Sequence, residues 1–349
     1  MMRALLAQRL RRDWVQLLLW LLGTAALAAA SVGGVSSAYG GESDRVAVLA
    51  AVMANPVIML FRGLPSGAQL EAFTLFLILP FLAMMAAFMS SFLAVRHTRT
   101  EEEQGRAELI VATPAGRLTP LFATMIHGAL ANLVLAALVF VAFAGAGYDP
   151  FGSLVAGLAS GAAGLCFLGV GLAAAQLVHT SRAANAIAVW VLLVTFLLAG
   201  IGNALGTPSG DLQRITSSWL AWLSPFGWIE NSRPFSDNLL WPLACALAAA
   251  VAFAALATAL QAARDIGAAP LHARSGRADA RESTFSTPIT LVWRHSWGRC
   301  WAGPSAVCSP ACSPRASAPS SMRSAPISRP CSTCSTRWLG AAASGRGWS

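Results

Sequence analysis

Six long stretches of the chain are almost wholly apolar and contain no Asp, Glu or Arg: 14–36, 72–95, 118–145, 152–178, 185–205 and 239–263. A helix needs about 20 apolar residues to cross a bilayer, and each stretch meets that length. Acidic and basic residues other than His127 lie outside these stretches. The pattern predicts an all-α integral membrane protein with six transmembrane helices. The first stretch follows Arg3, Arg9, Arg11 and Arg12 and ends near Ala28-Ala29-Ala30, as a signal peptide would. Signal cores run only about 7–15 residues. This stretch is longer and has five more behind it, so it is predicted to be an uncleaved helix.

Composition narrows the picture further. Of 349 residues, 56% are hydrophobic and 11% charged, against about 25% charged in soluble domains. All 24 basic residues are arginine. Without lysine the chain has neither a Walker A loop, whose lysine reaches the phosphates, nor a Schiff-base lysine. The net charge of +9 could suggest nucleic acid, but it sits in short clusters beside apolar runs, so no nucleic-acid partner is expected. Alternate connections hold fifteen and four arginines. Positive charge stays inside, which places the N-terminus and 264–299 in the cytoplasm of a multi-pass plasma-membrane protein, with lipids as its surroundings.

Catalytic chemistry is not in view. The sequence has no H-E-x-x-H and no G-x-S-x-G, and Glu101, Glu102 and Glu103 are consecutive residues without histidine beside them, a poor metal set. No catalytic, metal or cofactor-binding residue is assigned, and the chain is not expected to be an enzyme. Within the spans His127 is the one acid–base group. With Asn132 it marks an intramembrane polar contact between helices or part of a substrate path. Gly157, Gly161, Gly164, Gly169 and Gly171 crowd the fourth span, which reads either as close helix packing or as codon usage in a G+C-rich gene.

The connection between spans two and three is the most informative segment: Arg96-His97-Thr98-Arg99-Thr100-Glu101-Glu102-Glu103-Gln104-Gly105-Arg106-Ala107-Glu108-Leu109-Ile110. Thr100 and Glu103 have capping-box spacing, and Glu102 and Arg106 stand i,i+4 in the favourable order. A short charged helix is expected here, ended by Pro114 and Gly116, either as a surface for a soluble partner or as a plain connector.

This loop, as R-x-x-R-T-E-E-E-x-G-R-A-E-L-(x)4-P-x-G-R, resembles the permeases of type-2 ABC exporters, and most of all the actinobacterial exporters of polyketide antibiotics. Ala54-Asn55-Pro56, Trp222-Leu223-Ser224-Pro225-Phe226-Gly227-Trp228, Arg233-Pro234-Phe235, Arg264-Asp265-Ile266-Gly267-Ala268 and Pro288 through Trp293-Arg294 fit the same pattern in order. The resemblance implies a first six-span half over 1–299. Its cytoplasmic coupling helix, with Glu101, Glu102, Glu103, Gly105, Arg106, Glu108 and Leu109, would dock on a separate ABC ATPase subunit that holds ATP and Mg. It also implies an interfacial outer segment, 206–238, before span six. Trp219, Trp222, Phe226 and Trp228 have the amphipathic chemistry of interface anchors there. Hydrophobic or amphipathic antibiotic-type compounds would be the cargo, and a second permease half or copy the partner. The rival readings are a non-transport membrane scaffold recruiting a cytoplasmic protein, and a secondary transporter.

From residue 300 the composition changes. The last 50 residues hold 12 serines, 6 prolines and 5 of the 7 cysteines, with one leucine and no acid. That reads as disorder. Four thiolates (Cys308, Cys312, Cys331, Cys334) could bind zinc, but the expectation is instead a frameshift near Arg299, since a shifted frame turns Ser/Cys/Pro-rich text into Leu/Val/Ala-rich text.

Overall fold

The computed structural model describes residues 2–111, 116–265 and 267–271, all within one unit, Met1–Ser275. The tail from residue 300, its cysteines and the boundary expected at 299 lie outside the described residues. Among the described residues eleven helices follow one another: α1 (Met2–Ala38), α2 (Glu42–Met53), α3 (Pro56–Phe61), α4 (Leu70–Arg96), α5 (Arg99–Glu103), α6 (Arg106–Val111), α7 (Thr119–Ala144), α8 (Pro150–Leu177), α9 (Ser181–Ala204), α10 (Pro225–Asn231) and α11 (Trp241–Ala263). Two-residue strands β1 (Thr207–Pro208) and β2 (Ile215–Thr216) pair antiparallel before α10. Six helices, α1, α4, α7, α8, α9 and α11, are long and apolar enough to cross a membrane, and they fall on the six stretches read from the sequence.

The helix starts follow local chemistry. Asp149 accepts from Gly152 N at 2.7 Å and precedes Pro150 at the start of α8. Thr180 caps α9, and Asn55 caps α3 ahead of Pro56. Such side chains satisfy amide donors that the first turn leaves free, and proline loses nothing there. The first helix begins well before its apolar run. At 37 residues it is about 55 Å long, so its first turns, with Arg9, Arg12 and Asp13, extend beyond the apolar stretch.

The centre of the bundle is α8, packed against α4, α7, α9 and α11. Most of its residues from Gly152 to Gln176 are buried. Where lipid surrounds a bundle, hydrophobic drive between helices is weak and close van der Waals contact takes over. A Cβ at Gly157 would stand 2.5 Å from the Ala136 carbonyl oxygen of α7, and one at Gly171 would stand 3.0 Å from Ser91 backbone atoms of α4. Packing therefore accounts for these glycines. Pro80, inside α4, cannot donate to the Phe76 carbonyl. Gly63 N–H donates to it at 3.1 Å instead, so close that a Cβ on Gly63 would be 2.9 Å from the same oxygen.

At the end of the bundle opposite the N-terminus, α2, α3, the β1–β2 hairpin, a 3-10 turn (Ala221–Leu223) and α10 form a cap. Arg45 binds it together, donating to Ala68 O at 2.7 Å, Tyr39 O at 2.8 Å and Gly40 O at 2.9 Å. The segment before α11 thus folds back on the bundle. Of its four aromatic residues, Trp219 is 73% exposed, Trp222 stacks on Trp241 at 4.8 Å, and Trp228 Nε1 donates to Trp222 O at 2.7 Å. Phe226 differs from the expectation of an interface anchor. It is fully buried between Phe167 and Phe196, because α10 turns its apolar side onto α8 and α9.

Gly157→Val should lower stability by about 1–3 kcal/mol, the usual cost of overpacking. A Cβ at Gly34 meets nothing within 4 Å, so Gly34→Val should leave stability within experimental scatter. Thermal unfolding followed by size-exclusion chromatography checks both.

Candidate functional site

The charged connection read from the sequence is a corner rather than one helix. His97 caps α4, the chain turns through Thr98 into α5, and Gly105, at φ +69, breaks it from α6. That backbone region favours glycine. The break changes two sequence expectations. Thr98, not Thr100, occupies the cap position, and the Thr100 hydroxyl donates back to Val95 O. Glu102 turns to Arg99 and Arg264 rather than to Arg106, because a bend at Gly105 removes the i,i+4 register.

The three successive glutamates point in three directions and tie the corner to different helices. Glu101 reaches α1, with Arg12 Nη2 at 2.9 Å and Arg9 Nη2 at 3.7 Å. Glu102 is held by Arg99 Nη1 at 2.7 Å and by Arg264, just past α11, whose Nη1 lies at 3.0 Å. Arg99 also donates to Ala175 O of α8 at 3.1 Å, and Arg264 to Gln176 Oε1 at 2.7 Å. Glu103 accepts from Ser181 N at 2.7 Å at the start of α9, where a helix N-terminus favours negative charge. Thr124 of α7 accepts from Arg9 Nη1 at 2.8 Å and approaches His97 O at 3.4 Å. With α4 continuous into the corner, α1, α8 and α9 are bonded to it, α11 joins through Arg264, and α7 reaches only His97 O just ahead of α5.

Behind Glu101 lies a buried cluster that sequence reading missed. Asp13 of α1 accepts from His97 Nε2 and pairs with Arg96 Nη2 at 3.0 Å. Arg12 Nη2 lies 3.2 Å from His97 Nδ1. A guanidinium only donates, so Nδ1 accepts and the ring proton sits on Nε2, facing Asp13. His127 Nε2 stands 3.8 Å from Asp13 Oδ2, and the two imidazoles meet edge to face at 5.4 Å. Asp13, His97 and His127 place ligand atoms within 4.8 Å of one another. Arg96 and the His97 ring proton already occupy the Asp13 carboxylate, so the donor set fits an ion-pair network better than a metal centre. The one sequence signal for this cluster was a histidine inside span three.

His127 and Asn132 do not act as a pair. Asn132 Nδ2 donates to Ser90 Oγ of α4 at 2.8 Å and to Gly128 O at 2.9 Å, an ordinary interhelical contact. His127 instead joins the Asp13 cluster and lines a groove of about 620 Å³ between α1 and α7, whose walls include Leu10, Trp14, Leu18, Leu130 and Val134. Beyond the ion pairs, Glu103, Arg106 and Glu108 are exposed. The Leu109 side chain and residues 112–115, with Pro114, lie outside the described residues.

Six membrane-length apolar helices around a charged corner define a multi-pass membrane protein. Residues 3–260 match the family described as multidrug efflux system permease Rv1217c, C-terminal domain, and the chain belongs to that family. It is 34% identical over 291 residues to the multidrug efflux system permease protein Rv1217c of Mycobacterium tuberculosis, an alignment covering 83% of this chain and 51% of that one. The chain thus spans about half the length of this relative. The sequence resemblance implied a first half, and the family match carries the description of a C-terminal domain.

Removing one member of a buried ion pair strands its partner, at about 3–5 kcal/mol. Glu102→Ala strands Arg99 and Arg264, whose side chains are 1% and 7% exposed, and should lower stability by that order. Arg106→Ala, on the exposed side, should change it by less than about 0.5 kcal/mol. Thermal unfolding of the two variants side by side checks the contrast.

Proposed function

We propose that this chain is one six-span permease half of an ATP-driven ABC exporter, set in the plasma membrane with its N-terminus in the cytoplasm. A separate ATPase subunit supplies the energy and binds ATP and Mg, a second permease half or copy completes the pathway, and hydrophobic or amphipathic compounds are the cargo. The relative's description as a multidrug efflux system permease supports the cargo class. The arginine excess at one end supports the orientation.

One observation carries the reading: α5, continuous with α4, is bonded to α1, α8 and α9 and to Arg264 at the end of α11. A soluble partner pressing on Glu103–Leu109 would push against a joint, not against a floppy loop. Glu101 and Glu102 hold the element from behind, while Glu103, Gly105, Arg106 and Glu108 form its outward face. Displacing the corner by an ångström or two would pull on α1, α8, α9 and the end of α11 together, because their anchoring bonds to α5 are charge-assisted. Such bonds resist stretching far more than the dispersion contacts between apolar helices do. The apolar groove between α1 and α7 offers a lipophilic compound a surface of its own kind.

The test is ATP-dependent dye efflux in membrane vesicles carrying the whole exporter. The double charge reversal Arg106→Glu/Glu108→Arg should lower co-purification of the ATPase subunit at least about tenfold, matching the loss of one or two rim charge pairs with the new repulsion. ATP-dependent efflux should fall in parallel, and thermal stability should hold. Efflux that continues without ATP would establish a secondary transporter. Partner binding without any transport would establish a scaffold. Full coupling in the double variant would remove this face from the contact.

A further inference from the structure

At the end of the bundle opposite the charged corner, Glu230 of α10 is buried against Asn203, the penultimate residue of α9. Asn203 Nδ2 donates to Glu230 Oε2, the one side-chain hydrogen bond this carboxyl makes among the described residues. Asn203 is itself fully buried, and its carbonyl oxygen Oδ1 has no hydrogen-bond partner there. Around Glu230 stand Leu75, Phe76 and Leu79 of α4, with Leu64 and Ser66 of the loop before it. The charged group facing it is Arg233, and that guanidinium is already engaged, with Asp237 Oδ2 at 3.1 Å and Ile215 O at 2.9 Å. Glu230 forms no ion pair among the described residues.

Two deficits therefore meet at one place. A carboxylate shut away from water with a single amide donor and no cation is strongly disfavoured. An amide carbonyl shut away with no donor is also disfavoured, though less so. A single proton answers both, since a neutral carboxylic acid offers an O–H donor that a carboxylate lacks. With one N–H···O contact already made, the remaining O–H and C=O belong to the same two planar groups and can close the second half of an acid–amide pair. We propose that Glu230 is a proton-binding site, and that its bound proton joins it to Asn203 as an acid–amide pair pinning α10 to the end of α9. Burial, opposed by the Asn203 bond, pushes this carboxyl up to about 8 from its ordinary 4.5, so the pair is closed at neutral pH.

The sign of the linkage follows. The folded chain keeps this proton to higher pH than the unfolded chain does, so the contribution is complete below about 4.5 and declines as pH rises to about 8. Above that it is constant, because both states have then lost the proton. Within the window each pH unit costs the folded state about a factor of ten in its equilibrium constant. Above the window a charged Glu230 has no donor of its own, the Asn203 carbonyl is left unpaired, and the second half of the pair between α10 and α9 is lost.

Two measurements on the full chain in lipid nanodiscs test this. The midpoint of thermal unfolding from pH 5 to 9 should fall more steeply for the wild type than for Glu230→Gln, which holds a permanent donor, and the two slopes should coincide above about pH 8. Equal slopes throughout would overturn the proposal. Infrared difference spectra of the wild type give an answer that stands even if the glutamine variant fails to fold. A protonated-carboxyl band should persist at neutral pH, vanish with a midpoint near 8, and shift in position in Asn203→Ala. A Glu230 already ionised at pH 6, with no such band, would overturn the proposal, as would a band that ignores Asn203→Ala.

Discussion

The fold turns on the three-way fastening of α5. Glu101, Glu102 and Glu103 are consecutive, so a helical turn of about 100° per residue sends their carboxylates to three different neighbours. One goes to the arginines of α1, one to the pair Arg99 and Arg264, and one to the N-terminus of α9. The apolar bodies of the spans have no comparable directional bond, because dispersion is short-ranged and each atom pair contributes only about 0.1–0.2 kcal/mol. The relative heights of the six helices at this end are set by charge-assisted bonds. Arg99, fully buried yet satisfied by Glu102, Ala175 O and Ala268 O, shows how completely the network neutralises itself.

Further along the helices the constraint changes character. In α8 small residues let α4 and α7 approach until backbone meets backbone, and at Gly63 the cap's own backbone repairs the hydrogen bond that Pro80 removes from α4. Packing of this kind is rigid and specific without being polar. The two regions meet at the groove beside α1 and α7, where His127 touches both the Asp13 cluster and the apolar wall.

The two ends of the bundle solve the burial of acidic groups in opposite ways. At the charged corner Glu101 and Glu102 meet guanidinium groups and Glu103 meets the N-terminus of α9, so each carboxylate has donors. At the far cap Glu230 is bonded to an amide, and the Arg233 guanidinium beside it is engaged elsewhere, so the neutral acid is the satisfied form. The corner therefore satisfies its carboxylates with donors, while at the cap the proton of Glu230 completes the pairing.

Six spans, their lengths and the basic end were legible in the sequence, because apolar runs and arginine clusters are local properties that solvent and lipid read residue by residue. The choice of 96–110 as the informative loop was legible too, from its density of charge. The partners within it were not. Glu102 to Arg264 spans more than 160 positions and Asp13 to His97 more than 80, and no pattern along the chain brings such residues together. Gly105 looked like one more position in a helix, yet its positive φ bends the element and cancels the expected Glu102–Arg106 pair. Phe226 looked like an anchor for an interface and is a core residue, because only the packing of α10 decides which side of a short helix faces inward. The sequence by itself determined where the chain enters lipid and where its charge gathers. The tertiary structure decided which charges meet, which glycines are contacts and which carboxyl keeps its proton, since each depends on distances between helices that hydropathy does not encode.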